Sequence, residues 1–375
     1  MKKTIWIVAV ILFVIGGFWL SKKPDTASGE TIKIGGAFGL TGICAEFGEG
    51  ELRAATLAIE EANKMGGVNG KQLELVSDDT QCENKTTVSA FQKLINIDRV
   101  VGIIGPTWGD SFQGGYPLAA ASKIVAVSPS TAIEALEITK QPVEFVFSTW
   151  FPARVETDAL QKYALAKKLR KIILVHDQDP FGVMSAVVFK ERSAANGIDI
   201  VDEHEVAVET TDFRTIVAKI KRKQFDAIFT SFVTPESKAI FIQQARELGI
   251  QSPILSTAEI QNPSLLASFA RVLEGVVYTY PKGIAGYDRF ALAHKKRFGT
   301  EPRGPSASNA YDAVNVLVAA MRRGDLSGKS LQDALLTVSI PGATYETVNF
   351  STKHQVAGGE FEIKTVKNGA FVMVE

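Results

Sequence analysis

The chain has 375 residues, with 41 Lys and Arg against 41 Asp and Glu and a formal net charge of zero. That balance leaves no basic excess for nucleic acid, so no nucleic-acid partner is expected. A hydrophobic content of 46% with 22% charged residues suits an ordinary globular α/β protein.

Met1-Lys2-Lys3 is a short positive stretch, and Thr4 to Leu20 holds 17 residues without a charge. That length is long for the apolar part of a signal peptide and at the lower limit for a membrane span. Residues 1–28 therefore read as a cleaved signal, with a site near Ala27 or Ser28, or as an uncleaved membrane anchor. No cysteine follows at once, which argues against lipid modification. Either reading exports the chain to a periplasmic or extracytoplasmic location. The remaining residues, roughly 345, exceed one core and suit two domains.

The first strand is TIKIGGAF, which opens into the Gly-rich stretch GLTGICAEFGEG. A helix is expected from about Glu51 to Met65, with Leu52, Ala55, Ile59 and Ala62 at helical spacing. GGVNG stops it, and KQLELVSDD forms the second strand. A strand that ends in a small-residue loop feeding a helix makes a place for a small polar ligand. Downstream, helices at Lys85–Asn96, Ser111–Ser122, Val155–Leu169, Gly182–Asn196, Phe213–Arg222 and Pro235–Leu248 alternate with strands such as RVVGIIG, KIVAVSPS, RKIILVHD and FDAIFTSF. The strand runs lack strict alternation, as expected where helices cover both sheet faces. Two βα series of similar length predict two similar lobes.

No assembled catalytic set is visible. Gly109-Asp110-Ser111 has no GxSxG elbow around it and is better read as helix capping. GDLSGKS at Gly324–Ser330 is one residue short of a phosphate-binding loop and follows no strand. HExxH, CxxC and GxGxxG are absent, and His176-Asp177 would need further ligands to hold a metal. The expectation is a protein that is not an enzyme, with no metal and no cofactor.

Taken together, IKIGGAFGLTG, FGEGELRAATLAIEEANKMGGVNGKQLELVSDDTQC, VVGIIGPTWG, IVAVSPST, RKIILVHDQDPFG, TTDFRTIVAKIK and LEGVVYTYP resemble the periplasmic type I solute-binding proteins of ABC transporters, in the leucine/isoleucine/valine-binding branch. The resemblance runs in order from about Thr31 to the C-terminus. It implies two Rossmann-like lobes joined by three hinge crossings, with solute held between them. The crossings map near Phe147–Trp150, Tyr278–Lys282 and Pro341–Phe350. Lobe one is then 31–148 plus 282–340, and lobe two is 149–281 plus 341–375.

The same resemblance implies the site. Phe47, Phe181 and Phe232 fall where the branched-chain binders carry pocket tyrosines, and a phenylalanine keeps the apolar wall without the hydroxyl. Trp108 and Trp150 are further aromatics at expected cleft loops. The Ser128-Pro129-Ser130-Thr131 loop would supply hydroxyls and backbone N–H groups to a ligand's polar head, with Ser130 and Thr131 matching the family. Glu259 falls within one position of the acid that pairs with a ligand ammonium. Trp108-Gly109 replaces a Cys-Ser pair, which admits amides and urea-like solutes besides branched-chain amino acids.

Cys44 and Cys82 are the only cysteines. In the branched-chain binders the equivalent of Cys82 bonds a cysteine at the Trp108 position, so Cys44 is the partner left. Neighbouring strand-end loops and an oxidising compartment favour that bond. The resemblance implies a monomeric binding protein that delivers its solute to ABC permease subunits in the membrane. A sensor or receptor ectodomain is the alternative.

Overall fold

A computed structural model describes residues 31–107, 111–208, 210–304, 306–324 and 326–374. The N-terminal segment, and with it the choice between signal and anchor, lies outside the described residues. Among the described residues no helix is long and apolar enough to cross a membrane.

The first sheet contains β1 (Ile32–Phe38), β2 (Leu73–Asp79), β3 (Gly102–Ile104), β4 (Val125–Ser128) and β5 (Val146–Ser148). Its order is β2-β1-β3-β4-β5, and every pairing is parallel. The second sheet contains β6 (Lys171–Asp177), β7 (Asp199–Val206), β8 (Ala227–Ser231), β9 (Ile254–Ser256) and β10 (Val277–Pro281). A short hairpin, β11 (Ser339–Ile340) with β12 (Val348–Asn349), precedes the last strands, β13 (Phe361–Lys367) and β14 (Ala370–Met373). The second order is β14-β13-β10-β9-β8-β6-β7, with β13 and β14 antiparallel additions at one edge.

Each sheet thus repeats one plan: its first strand lies between its second and third. Chain connections leave that strand in opposite directions, which opens a crevice at the strand ends. The crevices fall between β1 and β3 and between β6 and β8.

Burial explains why these segments are strands. All residues of β3, β4, β5 and β8 are buried. In β6, Ile173 and Val175 enter one core cluster while Ile172 and Leu174 enter another, so helices cover both faces. A third, larger core cluster centres in the first lobe around Ile34, Phe38, Ile103, Val127, Phe147 and Leu317 and extends to Met184 and Val188 of the second.

Two local differences from the sequence expectation bear on the site. The first helix runs Ala45–Lys64 and begins well before Glu51. Its glycines permit this by close packing: a Cβ on Gly48 would lie 2.0 Å from the Gly39 carbonyl oxygen. The Gly-rich stretch is therefore half loop and half helix. The third crossing also differs. Val348, Phe350 and Val356 bury in the first lobe's core. Asp312 accepts hydrogen bonds from the Ala343 and Thr344 amides at 2.6 and 2.8 Å. Residues 341–356 thus belong with the first lobe, and the chain crosses at Ala357–Glu360, just before β13 pairs with β10. The other crossings are Thr149–Pro152, between β5 and helix Ala153–Ala166, and Lys282–Ile284, between β10 and helix Ala285–Phe298.

Cys44 and Cys82 form a disulfide, with Cα atoms 6.3 Å apart. It ties the loop after β1 to the loop after β2.

Candidate functional site between the lobes

Beyond the carboxyl ends of the parallel strands the two lobes meet, through Phe47 after β1 and Val233 after β8, and the loops there carry buried polar groups. In the first lobe, Thr107 follows β3. Its hydroxyl accepts from the Gly39 amide at 3.0 Å and donates to Glu51 Oε2 at 2.6 Å. This chain links both sides of the β1–β3 crevice to the first helix. Burial pushes the Glu51 carboxyl up to about 7, opposed first by the Thr107 hydroxyl.

The Ser128 hydroxyl accepts from the amides of Thr131, at 3.0 Å, and Ser130, at 3.4 Å. Those amides therefore face into the protein and shape the loop. The Ser130 hydroxyl, near Glu51, has no hydrogen bond of good geometry among the described residues. Ser130 and Thr131 are both buried.

In the second lobe, Asp177 ends β6. Its carboxylate accepts from the Val233 amide at 2.7 Å and the Asp179 amide at 3.3 Å, which closes the β6–β8 crevice. Burial pushes Asp177 up to about 6. Asp179 caps helix Pro180–Asn196 by accepting from the Phe181 amide at 2.9 Å. Beyond β9, Glu259 is buried in the turn Ala258–Ile260. Glu156 accepts from Ala258 N at 3.3 Å and Thr279 Oγ1 at 2.5 Å. Burial and the charge of Glu259 push Glu156 up to about 8. Lys238, fully buried, lies 3.6 Å from Glu259 Oε2.

The lobes meet through apolar contacts. Phe47 of the first lobe and Val233 of the second share one cluster. Phe181 packs against a core cluster that holds residues of both lobes, Met184 of its own helix among them. Beside them a cavity of about 340 Å³ is lined by Ile43, Glu46 and Phe47 from one lobe and Thr234, Pro235 and Ile240 from the other.

Of the residues singled out from the sequence, Phe47 lies at this interlobe cluster, while Ser130 and Thr131 are buried in the loop after β4, Phe181 stands in the first turn of helix Pro180–Asn196 and Glu259 is buried in the turn after β9. Ser128 supports the loop from beneath. Trp150 stands at the first crossing, where its amide donates to Ser148 Oγ at 3.0 Å and its carbonyl accepts from Gln355 at 2.7 Å. Trp108 lies outside the described residues. Phe232 does not reach the boundary: it packs on Phe213 and Phe241 inside the second lobe. Val233, one residue on, takes the facing position, because successive residues leaving a strand point to opposite sides.

Sequence reading missed Glu51, Glu156, Thr107, Val233 and Lys238. A signal existed for two of them. Lys238 lies three, four and seven residues before Phe241, Ile242 and Ala245, all buried, so it stands on its helix's apolar face. Glu51 relates in the same way to Ala54, Ala55 and Ala58. His176 is held by Glu203, at 3.2 Å, and the Asp177 carbonyl, at 2.9 Å. Among the described residues no group of His, Cys, Asp or Glu could hold a metal ion.

Comparison with known proteins gives a consistent picture. A family model described as "Periplasmic binding protein" matches residues 31–370. A Leu/Ile/Val/Thr-binding protein of Salmonella typhimurium is 26% identical over 350 residues, covering 90% of this chain and 92% of that one. A type 1 periplasmic binding protein from Bordetella pertussis has a similar structure, with a TM-score of 0.82 and 25% identity, covering 92% of this chain and 100% of that one. The fold also resembles a branched-chain amino acid transporter substrate-binding protein from Streptococcus pneumoniae in complex with isoleucine. There the TM-score is 0.78 at 24% identity, covering 92% of this chain and 99% of that one.

Proposed function

The chain belongs to the periplasmic binding protein family, and we propose that it captures a branched-chain amino acid or a related small polar solute, amides and urea-like compounds included, between its two lobes. On this reading it works outside the cytoplasm as the substrate-binding component of an ABC importer and delivers solute to the permease. The chemistry is capture and release, without covalent change to the solute.

One observation supports capture above the others. Residues of both lobes line one cavity of about 340 Å³, Phe47 from the first and Thr234 and Pro235 from the second. A solute that contacts both lobes there stabilises the closed arrangement over an open one, and the equilibrium shifts accordingly. The three crossings are the natural hinge, since few residues must change conformation there.

Phe47, Phe181 and Val233 would exclude water around the solute and favour an apolar body. Ser130 and Thr131 would meet its polar head, with Glu51 behind them. A thermal-shift screen of amino acids and amides tests the reading, because a ligand that binds only the native state raises the unfolding midpoint. A midpoint unmoved by every small solute of these classes would contradict it.

A further inference from the structure

The crossings that join the lobes also enclose space. A cavity of about 240 Å³ is lined by Phe151 of the first crossing and by Lys282 and Ile284 of the second. Ser308 of the first lobe and Gln261 and Lys364 of the second complete its walls. An adjoining cavity of about 330 Å³ shares Lys282 and Thr344 with it and reaches the third crossing at Gly358 and Gly359. Lys282 ties these crossings together: its amide donates to the Glu360 carbonyl at 2.8 Å and its ammonium to Glu360 Oε2 at 2.6 Å. Neither cavity shares a lining residue with the one beside Phe47.

Three donors on the smaller cavity's walls lack a matching acceptor among the described residues. Ser308 is 5% exposed, and its hydroxyl has no hydrogen bond there. Gln261 Oε1 accepts from Tyr278 Oη at 3.0 Å, while its amide nitrogen stands near Tyr280 with an N–H to spare. Lys364 Nζ lies 5.1 Å from the centre of the Tyr280 ring and makes no salt bridge. Burial pulls this lysine below its usual range. Glu362, two residues earlier on the same face of β13, offsets the charge from a distance without taking an N–H. Phe151, Tyr280 and Ile284 supply an apolar wall. Donors without acceptors suit an oxyanion, and the apolar wall suits a hydrocarbon body.

We propose that this hinge cavity is a second ligand site, which takes a small carboxylate with an apolar body and favours the arrangement with the lobes together. The cavity has its present shape while Phe47 and Val233 are in contact across the lobes, so an occupant stabilises that arrangement over an open one. Reciprocity then makes occupancy at the hinge strengthen solute capture. That last consequence rests on the capture function proposed above; the hinge site itself does not.

The test is calorimetric titration with hexanoate, hexanamide and hexylamine, which share one chain and differ in charge. Hexanoate is expected to bind at least about tenfold more tightly than either other probe. Lys364→Met and Ser308→Ala should each weaken hexanoate by about fivefold or more. The serine variant, which removes one oxygen, decides the matter where the lysine variant does not fold. Hexanoate that fails to bind, or binds no tighter than hexanamide or hexylamine, overturns the proposal. Affinity for hexanoate unchanged in the folded variants overturns it too, by placing the probe elsewhere. None of these results bears on capture, which the thermal-shift screen judges. Small-angle scattering should show a smaller radius of gyration once hexanoate saturates the protein; an unchanged radius overturns the effect on the lobes.

Discussion

Phe47 and Val233 come from different lobes and pack, with Cys44, into one small apolar cluster. The contact exists only while the lobes are together, so it stabilises the closed form and contributes nothing to either lobe alone. Phe47→Ala should therefore weaken solute binding by roughly tenfold, the equivalent of about 1–2 kcal/mol of lost burial. The unfolding midpoint of the solute-free protein should hardly move. Calorimetric titration beside thermal unfolding separates the two effects; a large fall in midpoint would mean that Phe47 serves the first lobe's core instead.

The disulfide makes a second test. Cys44 and Cys82 are 38 positions apart, and closing such a loop stabilises by about 3–4 kcal/mol in the chain-entropy model. Replacing both by serine should lower stability by up to this amount in urea unfolding. Thiol titration of denatured, unreduced protein should find no free cysteine; two titratable thiols would contradict the bond.

Buried acids set the pH dependence of stability. Burial raises Glu51 to about 7, Asp177 to about 6 and Asp312 to about 7, against about 4 for unfolded carboxyls. The folded state then binds protons more tightly than the unfolded one. Stability from these groups is complete below pH 4 and is lost as pH rises through 6 to 7. For Glu51 the loss is on the order of 3 kcal/mol. Glu51→Gln should therefore flatten the fall in stability between pH 5 and 8, measured by urea unfolding at each pH. An unchanged slope would remove Glu51 from the account.

Gly48 probes how the first helix meets the loop after β1. A methyl group there would lie 2.0 Å from the Gly39 carbonyl oxygen, which is backbone and cannot swing away. Gly48→Ala should destabilise by about 1–3 kcal/mol through overpacking and should weaken solute binding as well. Wild-type stability in this variant would show that the loop has room to move.

How far the sequence led depends on how each element announces itself. The long βα alternation was legible because strands such as β6 and β8 are buried runs of β-branched and aromatic residues, flanked by Gly and Pro punctuation. The helix at Ser111–Ser122 is found at the expected residues. Segments without such a pattern were not legible. The hairpin of β11 and β12 has strands of two residues each, so nothing in the sequence shows that Asp312 draws residues 343 and 344 to the first lobe. Phe232 and Val233 differ by one position, and only the strand's exit direction decides which faces the other lobe. Lys238 drew no notice in the sequence, since charge usually means surface, although its spacing from Phe241 and Ile242 puts it on the apolar face.

The central claim is capture of a small solute by closure of two lobes about three crossings. Small-angle X-ray scattering, with and without a saturating solute identified by thermal shift, tests it most directly. The account predicts a smaller radius of gyration when solute saturates the protein, as an open population closes. A radius of gyration unchanged by a solute that demonstrably binds would contradict it.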